Sequence, residues 1–406
     1  MTNVKIVIGG NFGDEGKGLL TAFFAQQMMQ RSGRCLVVMS NGGPQRGHTV
    51  VQNGNRHVFR HFGSGTFCGA DTYFPAQFMV NPMIFSEERD ELAGIFSGAL
   101  PDSPAFPKVF IHPSCLVTTP FEMITNLILE EHRGKKRYGS VGVGIWETVI
   151  GGGKNFRELA GMSAAQIMDY LEKDRRAHMI QRLQSNGIGQ VPQEWKEITE
   201  DPELIRRYTE DLFRMKEQVH ISKDDLLRRY PEILFENGQG LLLSQEMKYR
   251  GYGNHTTPSN TGIENPARIM QSAFGGTDEI FSHAADELRV EAVYVTRSYM
   301  TRHGAGRFDT ECPMNEINPD IRDLTNMPND SQGTIRYGRL NMRSFLRRVK
   351  RDFAVWNQIT PVPAGCAVCM THLNEYDHCG ARNKLVKYKS SSEEGAGCVT
   401  LNNNTR

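Results

Sequence analysis

Net charge of either sign is all but missing from this chain: 47 Lys and Arg stand against 46 Asp and Glu, leaving +1 over 406 residues. A chain so balanced has no overall field to gather nucleic acid or an anionic membrane, so any basic site must be local. Long apolar runs are missing too. No stretch of about 18 apolar residues could span a bilayer, and residues 1–8 run into a strand pattern rather than a charged-then-apolar leader. Paired cysteines are the third absence. The eight cysteines are scattered, which makes free thiols in a reducing, cytoplasmic compartment the expectation. Among Cys366, Cys369, His372, His378 and Cys379 there is one Cys-x-x-Cys pair and no second half to complete a zinc site. The run 367–370 reads instead as a buried strand, where free Cys behaves as a small hydrophobe.

What is present is an ordinary globular balance, 39% hydrophobic and 23% charged. Residues 5–8 and 35–39 read as buried strands, 11–18 as a turn and 19–29 as a helix with apolar residues at helical spacing. Strand, loop, helix, strand predicts a parallel sheet with ligands at the strand C-termini. Further strands fall at 232–235, 290–295 and 367–370. Residues 159–229 are rich in Glu, Lys, Arg, Gln and Met at helical spacing, and read as a helical sub-domain within a single domain spanning 1–406. Residues 314–341 read as a long surface loop, and the tail from 390 is polar.

The chemistry concentrates in the loops. Gly13-Asp14-Glu15-Gly16-Lys17-Gly18 follows a strand and opens a helix. Its glycines let the backbone approach phosphate oxygens, while the helix N-terminus and Lys17 add positive potential. It lacks the four-residue spacer and terminal Ser/Thr of a Walker A loop, which argues against a phosphate-loop kinase or GTPase. The acidic pair in a phosphate loop suggests a Mg²⁺ ligand or a base acting on substrate. His48 sits in a second glycine loop at the same sheet edge and suits an acid or electrostatic role.

With these two loops the chain resembles the adenylosuccinate synthetase family, whose members carry Gly-Asp-Glu-Gly-Lys-Gly and later Gly-Gly-x-x-x-Gly-His-Thr. Ordered matches continue at 61–65, Gly238-Gln239-Gly240, 257–261 and Thr301-Arg302-His303-Gly304-Ala305-Gly306 with Phe308, Thr310 and Glu311. The resemblance implies a P-loop-like α/β fold with a large, mostly parallel central sheet flanked by helices, and a Mg²⁺-dependent two-step ligation in a homodimer. A nucleoside triphosphate phosphorylates O6 of a 6-oxopurine nucleotide, and the amine of L-aspartate displaces that phosphate. By position, Asp14, His48 and Gln239 are the catalytic residues. Gly13, Glu15, Gly16, Lys17, Gly18, Thr49 and Asn374 meet the donor nucleotide. Asn11, Gln45, Arg46, Ser140, Gln239 and Thr257 meet the purine monophosphate. Gly333, Thr334 and Arg336 take the aspartate, and Asp14 with the Gly47 carbonyl takes the metal.

Several positions depart from the family pattern. Pro44-Gln45-Arg46 fills the middle of the second loop and adds a cation. Val141 stands for a phosphate-binding threonine, and Gly151-Gly152-Gly153-Lys154 replaces the basic segment that supplies an arginine across the family's dimer interface. The 5′-phosphate site must then be rebuilt, with Arg46, Lys154 or Ser140 available. Thr334 replaces an arginine near the ribose. Asn374 replaces the aspartate that selects guanine, and an amide matches adenine's acceptor and donor instead. These changes resemble the phage-type branch, which joins aspartate to dGMP using ATP, though that branch often lacks the loop aspartate. A divergent IMP-using enzyme and a non-catalytic nucleotide-binding regulator are the alternatives.

Overall fold

The computed structural model describes residues 1–99, 106–275, 287–319, 333–373 and 397–400. In chain order the strands are β1 (Thr2–Gly9), β2 (Leu36–Val38), β3 (His48–Gln52), β4 (Asn55–Phe59), β5 (Asp71–Phe74), β6 (Met79–Val80), β7 (Val109–Ile111), β8 (Leu116–Val117), β9 (His220–Ile221), β10 (Glu232–Glu236), β11 (Leu288–Arg297), β12 (Met300–Arg302), β13 (Arg336–Gly338), β14 (Ala364–Thr371) and β15 (Gly397–Thr400). One sheet runs in the order β15-β14-β11-β1-β10-β2-β5-β7-β9. Every neighbouring pair in it is parallel except β14 with β15. The mostly parallel α/β sheet expected from the sequence is the architecture found.

A parallel sheet needs cover on both faces, and β1 shows how the sequence supplies it. Successive side chains of a strand point to opposite faces. Val7 accordingly joins one core, with Leu20, Phe24 and Met28 of helix α1 (Lys17–Ser32). Val4, Ile6 and Ile8 join the other, with Ile269 and Met270 of helix Glu264–Phe274 and Phe345 of helix Met342–Phe353. Each such side chain stabilises the fold by about 1.5–3 kcal/mol when fully buried. Trp356 is fully buried in the second core, with its indole N–H donated to the Val362 carbonyl at 2.7 Å.

Between residue 155 and β9 the chain forms helices Phe156–Ala160, Ala164–Tyr170, Arg176–Gln184, Gln193–Glu200 and Pro202–Gln218. Capping boxes at Asn155/Glu158 and Ser163/Gln166 start the first two, and Asp201 before Pro202 starts the last. Their apolar faces, including Leu159, Tyr208, Leu212 and Met215, join the α1 side of the core. The chain then re-enters the sheet as its edge strand β9, which is two residues long and too short for any alternation to show in sequence. Part of 314–341 is also more ordered than a surface loop: β13 pairs antiparallel with β12, Thr301 opposite Tyr337. None of the described helices is long and apolar enough to cross a membrane.

Candidate active site

The C-terminal ends of β1, β2, β10, β11 and β14 converge, and the phosphate loop leaves the first of them. Glycine is required at Gly16, where φ is +91°, and at Gly18, where a Cβ would lie 2.7 Å from that of His48. Asp14, with φ +58°, accepts the same left-handed geometry without being glycine. Glu15 turns inward and is 2% exposed. Its Oε1 accepts from the backbone N–H of Asn11 and of Gly13, both at 2.9 Å, and its Oε2 from Lys17 Nζ at 2.7 Å. One member of the acidic pair therefore builds the loop rather than facing ligand. Thr371, at the end of β14, ties the loop from outside through the Glu15 carbonyl at 2.9 Å. The N-terminus of α1 carries no side-chain cap and no acidic residue in its first turn, so its first N–H groups stay open to an anion.

Asp14, the other member, points toward the β12 end and meets His303 Nε2 at 3.1 Å. Burial alone would raise its carboxyl, but the hydrogen bond and charge of His303, with Arg297 and Lys17, outweigh this and hold it below the ordinary range. His48 pairs through Nδ1 with Glu236, the fully buried last residue of β10. Glu236 also accepts from the Ser64 N–H at 2.9 Å. Burial pushes Glu236 upward, yet His48, Arg46 and Ser64 more than offset it and keep it an anion. For His48 burial wins over Glu236 and holds the imidazole below its ordinary value, neutral at pH 7. A carboxylate only accepts, so His48 donates from Nδ1 and turns a lone pair out at Nε2. A polyanion beside Nε2 would favour its protonation and convert it to a donor.

Next to this pair of dyads opens a pocket of about 470 Å³. Gln45, Ser140, Val141, Gln239, Thr257 and His303 are among its lining residues. Gln45 is the one whose amide oxygen and nitrogen are both buried without a partner. Gln239, at φ +56° just past β10, lies beside it across Gly42. Two amides at one wall offer donors and acceptors to the edge of a planar heterocycle.

Other expected residues are placed differently. Arg46 does not enter the pocket: it is 5% exposed, donates to the carbonyls of Asn41 at 2.8 Å and Glu236 at 3.2 Å, and lies over the Phe78 ring. A cation in an apolar cleft is stable only with such acceptors, and the loops supply them. The Asn11 side chain is likewise held, donating to Thr296 at 2.9 Å and accepting from Arg348. Ser140 reaches the pocket, but its hydroxyl donates to Asn126 at 2.8 Å. Lys154 lies over the Tyr170 ring, away from the pocket lining. Arg336 gives donors to Glu311 and to the carbonyls of Gly304 and Gly306, so it is engaged rather than waiting open. Thr334 is exposed, and Gly333 turns with φ +70°. Thr49 follows His48 in β3, and Gly47 is exposed just before it. Asn374 lies outside the described residues, as do His378 and Cys379. His303 and Glu236 have no role assigned from sequence, although His303 lies in a matched segment and Glu236 directly follows the strand at 232–235.

The family model described as adenylosuccinate synthetase matches residues 6–341. The adenylosuccinate synthetase of Lactobacillus acidophilus is 27% identical over 331 residues, covering 80% of this chain and 68% of that protein. That of Tropheryma whipplei is 25% identical over 313 residues, covering 75% and 64% respectively, so the chain spans about two thirds of these relatives' length. Among solved structures, the fully ligated enzyme of Plasmodium falciparum superposes with TM-score 0.60 at 16% identity, over 92% of this chain and 77% of that one. The succinoaminodeoxyadenylate synthetase of cyanophage S-2L, bound to dGMP and dATP, gives TM-score 0.52 at 15% identity, over 90% and 84%. Matched by the family model over most of its length, the chain belongs to the adenylosuccinate synthetase family of C–N ligases.

Proposed function

We propose that this chain joins L-aspartate to C6 of a 6-oxopurine nucleotide after a nucleoside triphosphate has phosphorylated O6. The observation that carries the reading is the Asp14–His303 pair, which links the phosphate loop to the pocket that Gln45 and Gln239 line. Asp14, an anion at neutral pH, accepts the N1 proton and leaves O6 as the nucleophile. His48, oriented by Glu236, stabilises charge developing on the γ-phosphoryl group, and Gln239 hydrogen-bonds the purine edge. Gly13, Gly16, Lys17, Gly18 and Thr49 take the donor phosphates, with Glu15 shaping the loop and Asn374 reading the donor base. Thr257 and Ser140 meet the 5′-phosphate, while Gly333, Thr334 and Arg336 take the carboxylates of aspartate. The residues fit Mg²⁺: Asp14 offers an anionic oxygen on a part-exposed side chain and Gly47, an exposed residue, its carbonyl, both hard donors. When bound, the ion would neutralise phosphate charge.

The finer reading is dGMP as acceptor and ATP as donor. It rests on Asn374 and on the altered second loop, and the cyanophage protein bound to dGMP and dATP supports it. The unpartnered Gln45 amide suits a purine carrying a further polar substituent. A second reading, IMP with GTP or ATP, is favoured by the curated relatives, which are named adenylosuccinate synthetases. The proposal treats 1–406 as one domain with a helical sub-domain at 159–229, and a cytoplasmic homodimer, which sedimentation equilibrium tests. The deciding experiment crosses IMP, dIMP, GMP and dGMP with ATP, dATP and GTP in the presence of aspartate, using acceptors labelled with ¹⁸O at C6. Label appearing in inorganic phosphate supports the ligation. Label retained in the nucleotide, or phosphate release that ignores aspartate, refutes it.

A further inference from the structure

Because the central strands run parallel, their N-terminal ends form an edge opposite the site described above. A second cavity of about 480 Å³ opens there. Its walls come from residues that precede or open successive strands: Arg34 before β2, Lys108 before β7, His220 at the start of β9, and Arg229 and Tyr230 before β10. The three cations Arg34, Lys108 and Arg229 face a single carboxylate, Asp71. That carboxylate is already engaged, its Oδ2 accepting from the Tyr230 hydroxyl at 2.6 Å and its Oδ1 from the Lys108 N–H at 2.7 Å. The cavity thus keeps a surplus of positive charge. The rest of its wall combines Ile221, Ser222 and Leu226 with three rings. The rings of Phe110 and His220 lie 5.4 Å apart, Tyr230 meets Phe110 edge-on at 6.5 Å, and the Arg34 guanidinium lies 4.9 Å over the Tyr230 ring.

We infer that this cavity binds a mononucleotide-class ligand, a planar heteroaromatic ring carrying a phosphate. The exposed His220 ring and the half-buried Phe110 ring take the base by stacking, and the guanidinium and ammonium groups take the phosphate. The volume falls in the range of clefts that hold a ligand of this size. A free inorganic anion would use the cations and leave the rings idle; an uncharged nucleoside would do the reverse. The inference stands whatever substrate the opposite edge takes. In chain terms the cavity is one strand from the chemistry, since β10 begins just after Tyr230 and ends at Glu236, the partner of His48.

The test is photolabelling of the full chain with 8-azidoadenosine 5′-monophosphate, followed by peptide mapping. Label is expected on peptides spanning 106–112 and 220–230, in addition to any at the catalytic edge. Unlabelled AMP should protect those peptides, whereas equimolar inorganic phosphate or adenosine should not. In the double variant Lys108→Glu with Arg229→Glu, both exposed positions, labelling there should fall about tenfold or more while labelling near 239–257 stays unchanged. Absence of label from these peptides overturns the inference, as does equal labelling of the variant. Protection by phosphate or by adenosine as effective as that by AMP would overturn it too, since each needs only half of the site.

Discussion

Asp352→Asn should stabilise the protein above neutral pH and do progressively less in acid. Asp352 lies on helix Met342–Phe353 and accepts from the Tyr294 hydroxyl at 2.7 Å and the Ile263 N–H at 3.0 Å. It fastens the segment after the Thr257 loop to β11, at a place where a Cβ on Gly262 would collide with it. Burial pushes its carboxyl from 3.8 up to about 7, against the pull of those two donors. A carboxyl whose folded pKa is raised lets the unfolded chain ionise first, so stability falls as pH rises from about 4 to about 7. Three units at 1.36 kcal/mol each set a ceiling of about 4 kcal/mol, and solvent at the half-buried side chain brings this to about 2–4 kcal/mol. Asparagine keeps an acceptor for the two donors and has nothing to ionise. Urea unfolding at pH 8 should therefore show the full gain, pH 5 about half of it or less, and pH 4 almost none. An equal effect at pH 5 and pH 8, or a loss at pH 8, would refute the reasoning.

Three other outcomes follow from the site. Glu236→Gln removes the anion that fixes the His48 tautomer, so kcat should fall about 100-fold or more with nucleotide KM changed only a few-fold; unchanged kcat at pH 7 would separate Glu236 from catalysis. Arg46→Ala deletes two buried donors from loop carbonyls and should cost about 2–4 kcal/mol in urea unfolding, leaving substrate KM nearly unmoved. A selective rise in nucleotide KM at full stability would return Arg46 to the substrate. Glu311→Gln weakens the hold on Arg336, so the KM for aspartate should drop several-fold in steady-state assays, and a rise would mean Glu311 orients the clamp instead.

The parts legible in sequence are those whose physics is local. The phosphate loop announces itself because its glycines, carboxylates and lysine are contiguous, and the helices beyond residue 156 show their spacing and their caps. What stayed hidden depends on contacts between distant segments. Glu236 and His48 are 188 residues apart, and nothing near either one predicts their pairing. His303 sits in a recognised segment, yet its task is set by Asp14, which arrives from β1. Arg46 is a further case: a cation in a glycine loop suggests anion binding, while its contacts with the Phe78 ring and the Glu236 carbonyl, beside the nearby Asn41 carbonyl, appear only in the fold. Arg336 stands out in sequence as an expected carboxylate partner, while its engagement by Glu311 does not.

The bare start of α1 has a consequence for the fold as well as for binding. Helix Pro120–Arg133 closes its own first turn with Thr119 and Glu122, whereas α1 opens at Gly16 with nothing to receive its leading amides. Glycine in place of a capping side chain costs a helix roughly a few tenths of a kcal/mol. The phosphate of a bound nucleotide would then be the missing terminal residue of α1, supplied from solution. On that account the helix at the heart of the molecule is completed only in the loaded protein, and the ligand is counted among its structural parts.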